Sequence, residues 1–253
     1  MKDTPISIAG GARMRWIELP GHDPARVYVH GLGAMSAPYY THIATHPRLA
    51  GHRSLLIDLL GFGLSDRPTA FAYTLEDHAD ALAEALTAAH ATGAQMIAHS
   101  MGGAIAIVAA HRHPGLITRL VLADANLDPV PGPPRPGSSR IAAYTEEQFL
   151  SHGHRETAAH VGPHWWSTMR LAGPEALYRS AVHLARATTP TMRQMLLDLD
   201  IPRTFLHPAT DTVSGADTLR AAGVRLVPIP AAGHNLMLDN PAAFVEATAA
   251  ALT

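Results

Sequence analysis

The chain of 253 residues contains no cysteine. This absence excludes thiol nucleophiles, disulfides and cysteine-ligated zinc sites together. The formal net charge is only −2, and no basic run or stripe is present, so we expect no nucleic-acid partner. No apolar run is long enough to span a membrane, and residues 1–11 lack the apolar core of a signal peptide. We therefore expect a cytoplasmic protein with no membrane partner.

The 17 histidines raise the question of a metal site. Two close pairs, His111/His113 and His152/His154, are each spaced two residues apart, which does not bring two side chains together on one helix face. The zinc-binding pattern His-Glu-x-x-His is also absent. We predict that the protein uses no metal and no other cofactor.

The most informative segment is Gln95-Met-Ile-Ala-His-Ser-Met-Gly-Gly103. An apolar strand ends at His99, Ser100 follows, and two glycines open a helix rich in alanine, isoleucine and valine. This order is typical of the nucleophile elbow G-x-S-x-G, with Ala98 in place of the first glycine. The pattern predicts an exposed Ser100 hydroxyl and places the Met101 N–H in an oxyanion hole. The alternative interpretation is that Ser100 only caps the helix.

Two further segments fall where such chemistry needs them. A short apolar strand ends in His30-Gly-Leu-Gly33, a loop that can present a second backbone N–H, that of Leu32, to the same oxyanion; we expect His30 to support this loop. Near the end of the chain, a strand and a glycine-containing loop lead to His234. The order serine, acid, histidine along the chain is that of the α/β-hydrolases.

Four motifs in this order resemble the α/β-hydrolases over essentially the whole chain, at residues 30–33, 58–68, 98–103 and 232–241. The resemblance is closest to the small cap-bearing members that include esterases, C–C bond hydrolases, haloalkane dehalogenases and epoxide hydrolases. Serine at the elbow argues against the last two, because their reactions need a carboxylate nucleophile. The resemblance implies a serine hydrolase of the carboxylic ester class, with Ser100 and His234 as catalytic residues.

Strands and helices alternate along the chain, which predicts an α/β fold with a mostly parallel sheet covered by helices on both faces. The predicted strands lie at residues 14–18, 26–29, 54–58, 95–99, 119–123, 203–207 and 225–229. The clearest helix is predicted at residues 75–91, with a capping box at Thr74 and Asp77. Thr145 and Gln148 form a second capping box, and Gly153 is expected to end the helix that follows.

A run of proline and glycine at residues 128–137 cannot be helix or central strand and predicts a hinge out of the core. From there to about residue 200 every segment has helical character. We therefore predict a hydrolase core at residues 1–128 and 201–253, and a helical cap, or lid, at residues 129–200. The alternative is a helical excursion that does not contact the substrate.

Two aspartates are candidates for the carboxylate that orients the catalytic histidine. Asp211 follows the seventh predicted strand, the usual place in the fold, but Pro208 and Ala209 stand where the family commonly has glycine and glutamate. Asp124 follows the sixth strand, where some members of the fold carry the acid. We slightly favour Asp124 and keep Asp211 as the alternative.

The resemblance and the residues beside the motifs suggest a mainly apolar pocket for an ester of modest size. Its predicted lining residues are Gly33, Met35, Trp165, Trp166 and Met237. Methionine side chains adapt to irregular apolar ligands, although the same residues would also serve as core filling. A C–C hydrolase, a thioesterase, a lactonase or a non-catalytic small-molecule binding protein are the alternatives. The oligomeric state is left open.

Overall fold

The computed structural model describes residues 1–128, 139–186 and 188–253. Within them, eight strands form a single sheet in the order β1-β2-β4-β3-β5-β6-β7-β8. Strand β2 runs antiparallel to both of its neighbours, and all other neighbours are parallel. The strands are β1 (Lys2–Ile6), β2 (Ala12–Leu19), β3 (His22–Val29), β4 (His52–Asp58), β5 (Ala94–His99), β6 (Ile117–Ala123), β7 (Arg203–Pro208) and β8 (Val224–Ile229).

The central strands are apolar on both faces because both faces of the sheet are covered. In β5, Met96 and Ala98 join one buried cluster with residues of the helices Leu75–Ala88 and Met101–Arg112, while Ile97 joins a second cluster on the opposite face. The helices are α1 (Ser36–Ala44), α2 (Leu75–Ala88), α3 (Met101–Arg112), α4 (Glu146–Gln148), α5 (His154–Met169), α6 (Pro174–Ala185), α7 (Met192–Asp198), α8 (Ala216–Ala221), α9 (Leu236–Asp239) and α10 (Pro241–Leu252). The predicted α/β class is confirmed.

The sheet order reverses at β3, whose chain continues to β4 on one side and later returns to β5 on the other. Open parallel sheets bind ligands at such a switch point, outside the carboxyl ends of the strands. The chain segments that follow β3, β5, β6 and β8 carry His30, Ser100, Asp124 and His234 respectively. The topology therefore gathers the four predicted polar residues at one edge of the sheet.

All seven predicted strands are present, but β1 was not predicted. Its residues, Lys-Asp-Thr-Pro-Ile, are mostly exposed, because β1 is an edge strand that pairs only with β2. Such a strand lacks the apolar alternation that marks a buried one.

Both predicted capping boxes, at Thr74 and at Thr145, are confirmed by reciprocal hydrogen bonds. Helix α2 ends at Ala88, three residues early, and His90 then adopts a positive φ of 51°.

The prediction that Gly153 ends a helix is wrong. The chain continues from α4 through a π-helical turn at Phe149–Gly153 directly into α5. Glycine is needed there for packing, because a Cβ at this position would lie 2.9 Å from the ring of Tyr144. Close approach of an aromatic ring therefore explains a glycine that resembled a helix stop in the sequence.

The described residues between β6 and β7, beyond Asp128, contain helices and turns but no strand. We call residues 139–200, apart from residue 187, the helical insert. The predicted hinge at residues 128–137 lies outside the described residues, except for Asp128. Within the part of the chain described, no helix has both the length and the apolar character needed to cross a bilayer.

A buried histidine joins the insert to the core. His78 of α2 is fully buried, and its Nε2 lies 3.0 Å from the hydroxyl oxygen of Ser180 in α6. Burial, together with the nearby His30 and His183, lowers the pKa of His78 from 6.5 to about 3. The side chain is therefore neutral in the folded protein near neutral pH.

Acid should destabilise the fold through His78. Because the folded pKa lies below the unfolded value, the full stability is present above pH 6.5 and is lost as the pH falls toward 3. For this one group, we expect the free energy of unfolding to be about 2 kcal/mol lower at pH 5 than at pH 7.5. Urea denaturation across this pH range measures the slope. At the acidic end of this range, the slope of the free energy of unfolding against pH should be smaller in His78→Gln than in the wild type, by close to one bound proton. The control variant, at the exposed His111, is His111→Gln, which should keep the wild-type slope. Equal slopes in all three proteins would contradict the role of His78 in acid destabilisation.

Candidate active site

Ser100 forms a sharp turn between β5 and α3. Its φ of 53° and ψ of −121° lie where residues other than glycine are rarely found. The turn is tight enough that a Cβ at Gly102 would lie 2.3 Å from the backbone oxygen of His30, and a Cβ at Gly103 would lie 2.4 Å from Ala125 Cβ. The two glycines of the motif are therefore required by the close approach of α3 to the loops after β3 and β6. The single methyl of Ala98 is accommodated in the buried core.

Three side chains form a hydrogen-bonded chain at this turn. The Ser100 Oγ lies 3.0 Å from His234 Nε2, and His234 Nδ1 lies 2.6 Å from Asp124 Oδ2. A carboxylate only accepts hydrogen bonds, so His234 donates from Nδ1 and presents the Nε2 lone pair to the serine hydroxyl. This arrangement allows the histidine to take the proton of Ser100.

Of the two candidate carboxylates, the structure brings Asp124 to the histidine. The backbone N–H of Asp124 donates to Leu206 O at 2.8 Å, which anchors the residue at the end of β6. Asp211 is exposed, and its carboxylate accepts a hydrogen bond from the neighbouring Thr210 hydroxyl. Within the described residues, Asp211 makes no hydrogen bond to His234, so Asp124 is the candidate acid that the structure places beside the histidine.

The loop after β3 is held by a buried histidine. His30 Nδ1 lies 2.7 Å from Gly31 O, and the Leu59 N–H donates to His30 Nε2 at 3.1 Å. These partners fix the neutral tautomer with the proton on Nδ1, in agreement with burial, which lowers the pKa of His30. In the trans peptide between Gly31 and Leu32, the carbonyl and the N–H point in opposite directions. With the carbonyl held by His30, the Leu32 N–H is turned away from that side chain.

This loop lies directly against the serine. A Cβ at Gly31 would be only 3.0 Å from Ser100 Cβ. Within the described residues, neither the Leu32 N–H nor the Met101 N–H donates to an acceptor. Two free donors beside a serine hydroxyl are what stabilisation of a developing oxyanion requires. The role predicted for Leu32 and Met101 is compatible with this geometry.

Two site residues were missed by the sequence analysis. His99 Nε2 lies 2.9 Å from the backbone oxygen of His234, and the two rings are 4.6 Å apart between centroids. Because a carbonyl only accepts, His99 donates from Nε2, and burial followed by the nearby His234 lowers its pKa well below 6.5. Asn126 Oδ1 lies 3.3 Å from Ser100 Oγ. Their positions in the sequence could have identified them, because His99 directly precedes Ser100 and Asn126 follows Asp124 by two residues.

A cavity of about 240 Å³ opens beside Ser100. Its walls combine residues of the core with residues of α5 in the insert. They are Gly31, Leu32, Ala34, Tyr39, His99, Ser100, Val161, His164, Trp165, His234 and Asn235. Of the five residues predicted to line the pocket, only Trp165 lies in this described wall.

The other four residues predicted to line the pocket lie elsewhere in the structure. Trp166 packs against His154, with the ring centroids 5.1 Å apart and the rings tilted by 49°. Met237 is fully buried in the second core cluster, and Gly33 is covered by the side chain of Met169. Met35 is half-buried just before α1 and does not line the cavity. These four residues therefore lie outside the described cavity wall, and for Trp166, Met237 and Gly33 packing against neighbouring elements accounts for this.

Comparison with known families and sequences identifies relatives of this chain. A sequence model described as the alpha/beta hydrolase fold matches residues 25–165, more than half of the chain. A 2-hydroxy-6-oxo-2,4-heptadienoate hydrolase from Pseudomonas putida is 31% identical over 119 residues, which are 47% of this chain and 43% of that protein. The chain spans less than half the length of the curated relatives it matches.

Solved structures share the fold over the whole chain. An esterase from Exiguobacterium antarcticum has a TM-score of 0.79 at 19% sequence identity, covering 100% of this chain and 99% of that chain. A meta-cleavage product hydrolase from Pseudomonas fluorescens has a TM-score of 0.72 at 17% identity, covering 100% of this chain and 97% of that chain. At these identities, the likeness establishes the common fold.

Proposed function

The chain belongs to the alpha/beta hydrolase fold family, and within that family we propose that it is a serine hydrolase that cleaves a small, mainly apolar ester. The observation that carries the proposal is the hydrogen-bonded chain of Ser100, His234 and Asp124 at the mouth of a cavity. A non-catalytic binding protein would need a cavity but would have no use for a serine aligned with a histidine and a carboxylate.

In the proposed mechanism, Ser100 Oγ attacks the ester carbonyl carbon while His234 Nε2 takes the hydroxyl proton. The resulting oxyanion accepts hydrogen bonds from the N–H groups of Leu32 and Met101. As the carbonyl re-forms, the C–O bond to the alcohol breaks, and His234 returns the proton to the leaving alkoxide oxygen. Water then attacks the acyl-enzyme by the same route and releases the carboxylic acid and free Ser100.

Asp124 and His99 support the proton transfer to His234 through their charge states. Asp124 stabilises the imidazolium that exists while His234 holds the proton, and it keeps the ring oriented. His99 holds the backbone of His234 and remains neutral, because burial lowers its pKa. A second positive charge against the imidazolium would oppose proton transfer, so a neutral His99 suits this mechanism.

The cavity favours a short acyl group. Its volume of about 240 Å³ is below the range of roughly 300–1,000 Å³ found for pockets that take drug-sized ligands. Tyr39, Val161 and Trp165 supply apolar surface around the serine. We therefore assign the substrate class as esters with a compact acyl portion.

A chain-length series of p-nitrophenyl esters tests this assignment. We expect kcat/KM to be highest between acetyl and butyryl and to be at least about tenfold lower for octanoyl, because one misfitting methylene already costs about 1 kcal/mol or more. Initial rates of p-nitrophenolate release from acetyl, butyryl, hexanoyl and octanoyl esters provide the comparison, with Ser100→Ala as the blank. A rate that rises steadily to octanoyl would contradict a compact acyl site.

A C–C bond hydrolase is the second candidate, favoured by the similarity to the heptadienoate hydrolase. The substrate in that name is a carboxylate, whereas the described cavity wall contains histidines but no lysine or arginine. The neutral ester therefore fits the described wall better. Incubation with 2-hydroxy-6-oxo-2,4-heptadienoate, followed by its ultraviolet absorbance, separates the two: turnover of this compound without ester turnover would replace the ester proposal.

A further inference from the structure

Three consecutive carbonyls after β3 each accept a hydrogen bond from a side chain. Gly31 O accepts from His30 Nδ1 at 2.7 Å, Leu32 O from Trp165 Nε1 at 2.8 Å, and Gly33 O from Thr168 Oγ1 at 3.0 Å. The first donor belongs to the core, and the other two belong to α5 of the helical insert. The loop that carries the Leu32 N–H is thus held from two sides by different parts of the chain.

A break in α5 accompanies this contact. Gly162 has a φ of 74° and a ψ of 167°, which are not helical, and Pro163 follows it within the element. Beyond the break, Thr168 and Met169 are buried, and a Cβ at Gly33 would lie 2.8 Å from Met169 Cε. The second half of α5 therefore packs directly on the loop, with two donors aimed at its carbonyls.

We propose that Trp165 and Thr168 are positioning residues of the oxyanion hole, through which the helical insert holds the Leu32 N–H in place. The inference rests on the proposed function. The peptide before Leu32 Cα is held by His30, and the peptide after it is held by Trp165. Fixing both peptides fixes φ and ψ of Leu32 and hence the direction of its N–H. Thr168 extends the restraint to Gly33, whose φ of 68° places it in the left-handed region.

The two residues contribute through different donors, which permits selective removal. Trp165→Phe removes the N–H donor and retains an aromatic side chain in the cavity wall. Thr168→Val removes the hydroxyl at a position that does not line the cavity. The Thr168 hydroxyl also lies 3.2 Å from Trp165 O, so its single proton is shared between Gly33 O and Trp165 O. We therefore expect a smaller loss of activity in Thr168→Val than in Trp165→Phe. Trp166→Phe is the matched control, because Trp166 packs against His154 and makes no hydrogen bond to the loop among the described residues.

The kinetic test uses p-nitrophenyl acetate and a boronic acid that mimics the tetrahedral intermediate. A misaligned oxyanion donor weakens transition-state binding more than substrate binding. We expect kcat to fall about tenfold in Trp165→Phe and about threefold in Thr168→Val, with KM within about twofold. Affinity for the boronic acid should fall by the same factors as kcat, whereas Trp166→Phe and Thr168→Ser should match the wild type.

Hydrogen–deuterium exchange of the peptide covering residues 29–36 provides a readout that does not require turnover. Exchange should be faster in Trp165→Phe than in the wild type and in Trp166→Phe, at equal melting temperature. Unchanged exchange together with unchanged kcat in both test variants would overturn the inference, as would equal losses in Trp166→Phe. Failure of the proposed function would look different from failure of this inference. In that case the wild type itself would neither hydrolyse the ester nor react with a fluorophosphonate.

Discussion

Replacing Ser100 with alanine is expected to lower kcat for p-nitrophenyl acetate by about 10⁵-fold, because the nucleophile and the proton that His234 accepts are lost together. The hydroxyl lies 3.0 Å from His234 Nε2 and 3.3 Å from Asn126 Oδ1, so its removal should change the free energy of unfolding by no more than about 1 kcal/mol. Stopped-flow and steady-state rates, with circular dichroism to verify the fold, measure both quantities.

The rates of Ser100→Ala and the wild type can be compared directly, because the variant is expected to remain folded. A folded Ser100→Ala variant that retains ester hydrolysis within tenfold of the wild type would contradict the role of Ser100 as the nucleophile. The activity would then arise from another group or from a contaminating enzyme, and Ser100 would have only the structural role of the residue that precedes α3.

The second large effect is expected at Asp124. In Asp124→Asn, the side-chain amide can donate to His234 Nδ1, which would place the imidazole proton on Nε2, where it cannot accept the serine proton. We expect kcat/KM to fall about 10⁴-fold, as the wrong tautomer is favoured and the imidazolium loses its counter-charge. The distance of 2.6 Å between His234 Nδ1 and Asp124 Oδ2 is the structural basis of this expectation.

Asp211→Asn is the matched control for the same chemical change. Asp211 is exposed and bonds to its neighbour Thr210, so we expect kcat/KM within about twofold of the wild type. Both variants are measured with one ester at one pH, alongside melting temperatures. A larger loss in Asp211→Asn than in Asp124→Asn would mean that the catalytic acid follows β7 and not β6.

Much of the fold could be predicted because its signals are local. The central strands are apolar on both faces, so they stand out as short apolar runs between helices. The elbow was also predictable, since Gly102 and Gly103 are required by contacts of 2.3 and 2.4 Å that any added Cβ would make. The edge strand β1 was missed because an edge strand that is mostly exposed has no comparable pattern.

The choice of acid could not be made from the sequence with the same certainty. Asp124 and Asp211 follow neighbouring parallel strands, β6 and β7, and therefore lie at the same edge of the sheet. Which one meets His234 depends on the path of the loop after β8, and Ala231 in that loop adopts a positive φ of 49°. Nothing in the local sequence specifies such a loop path.

The pocket depends even more on long-range packing. Trp165 and Trp166 are adjacent, so their side chains leave the helix in directions about 100° apart, and only one of them can face the loop after β3. The break at Gly162 and the seating of Met169 on Gly33 decide that this residue is Trp165. The sequence indicated both tryptophans equally, because it does not encode the rotation of α5 in a local pattern.

Covalent labelling tests the central claim most directly. The wild type is incubated with a fluorophosphonate, and intact-mass and peptide mass spectrometry locate the adduct. A serine activated by His234 and Asp124 predicts one adduct per chain, on Ser100, formed much more slowly in Asp124→Asn and not at all in Ser100→Ala. An unlabelled Ser100 in the folded wild type, or an adduct only at another residue, would contradict the assignment of Ser100 as the nucleophile.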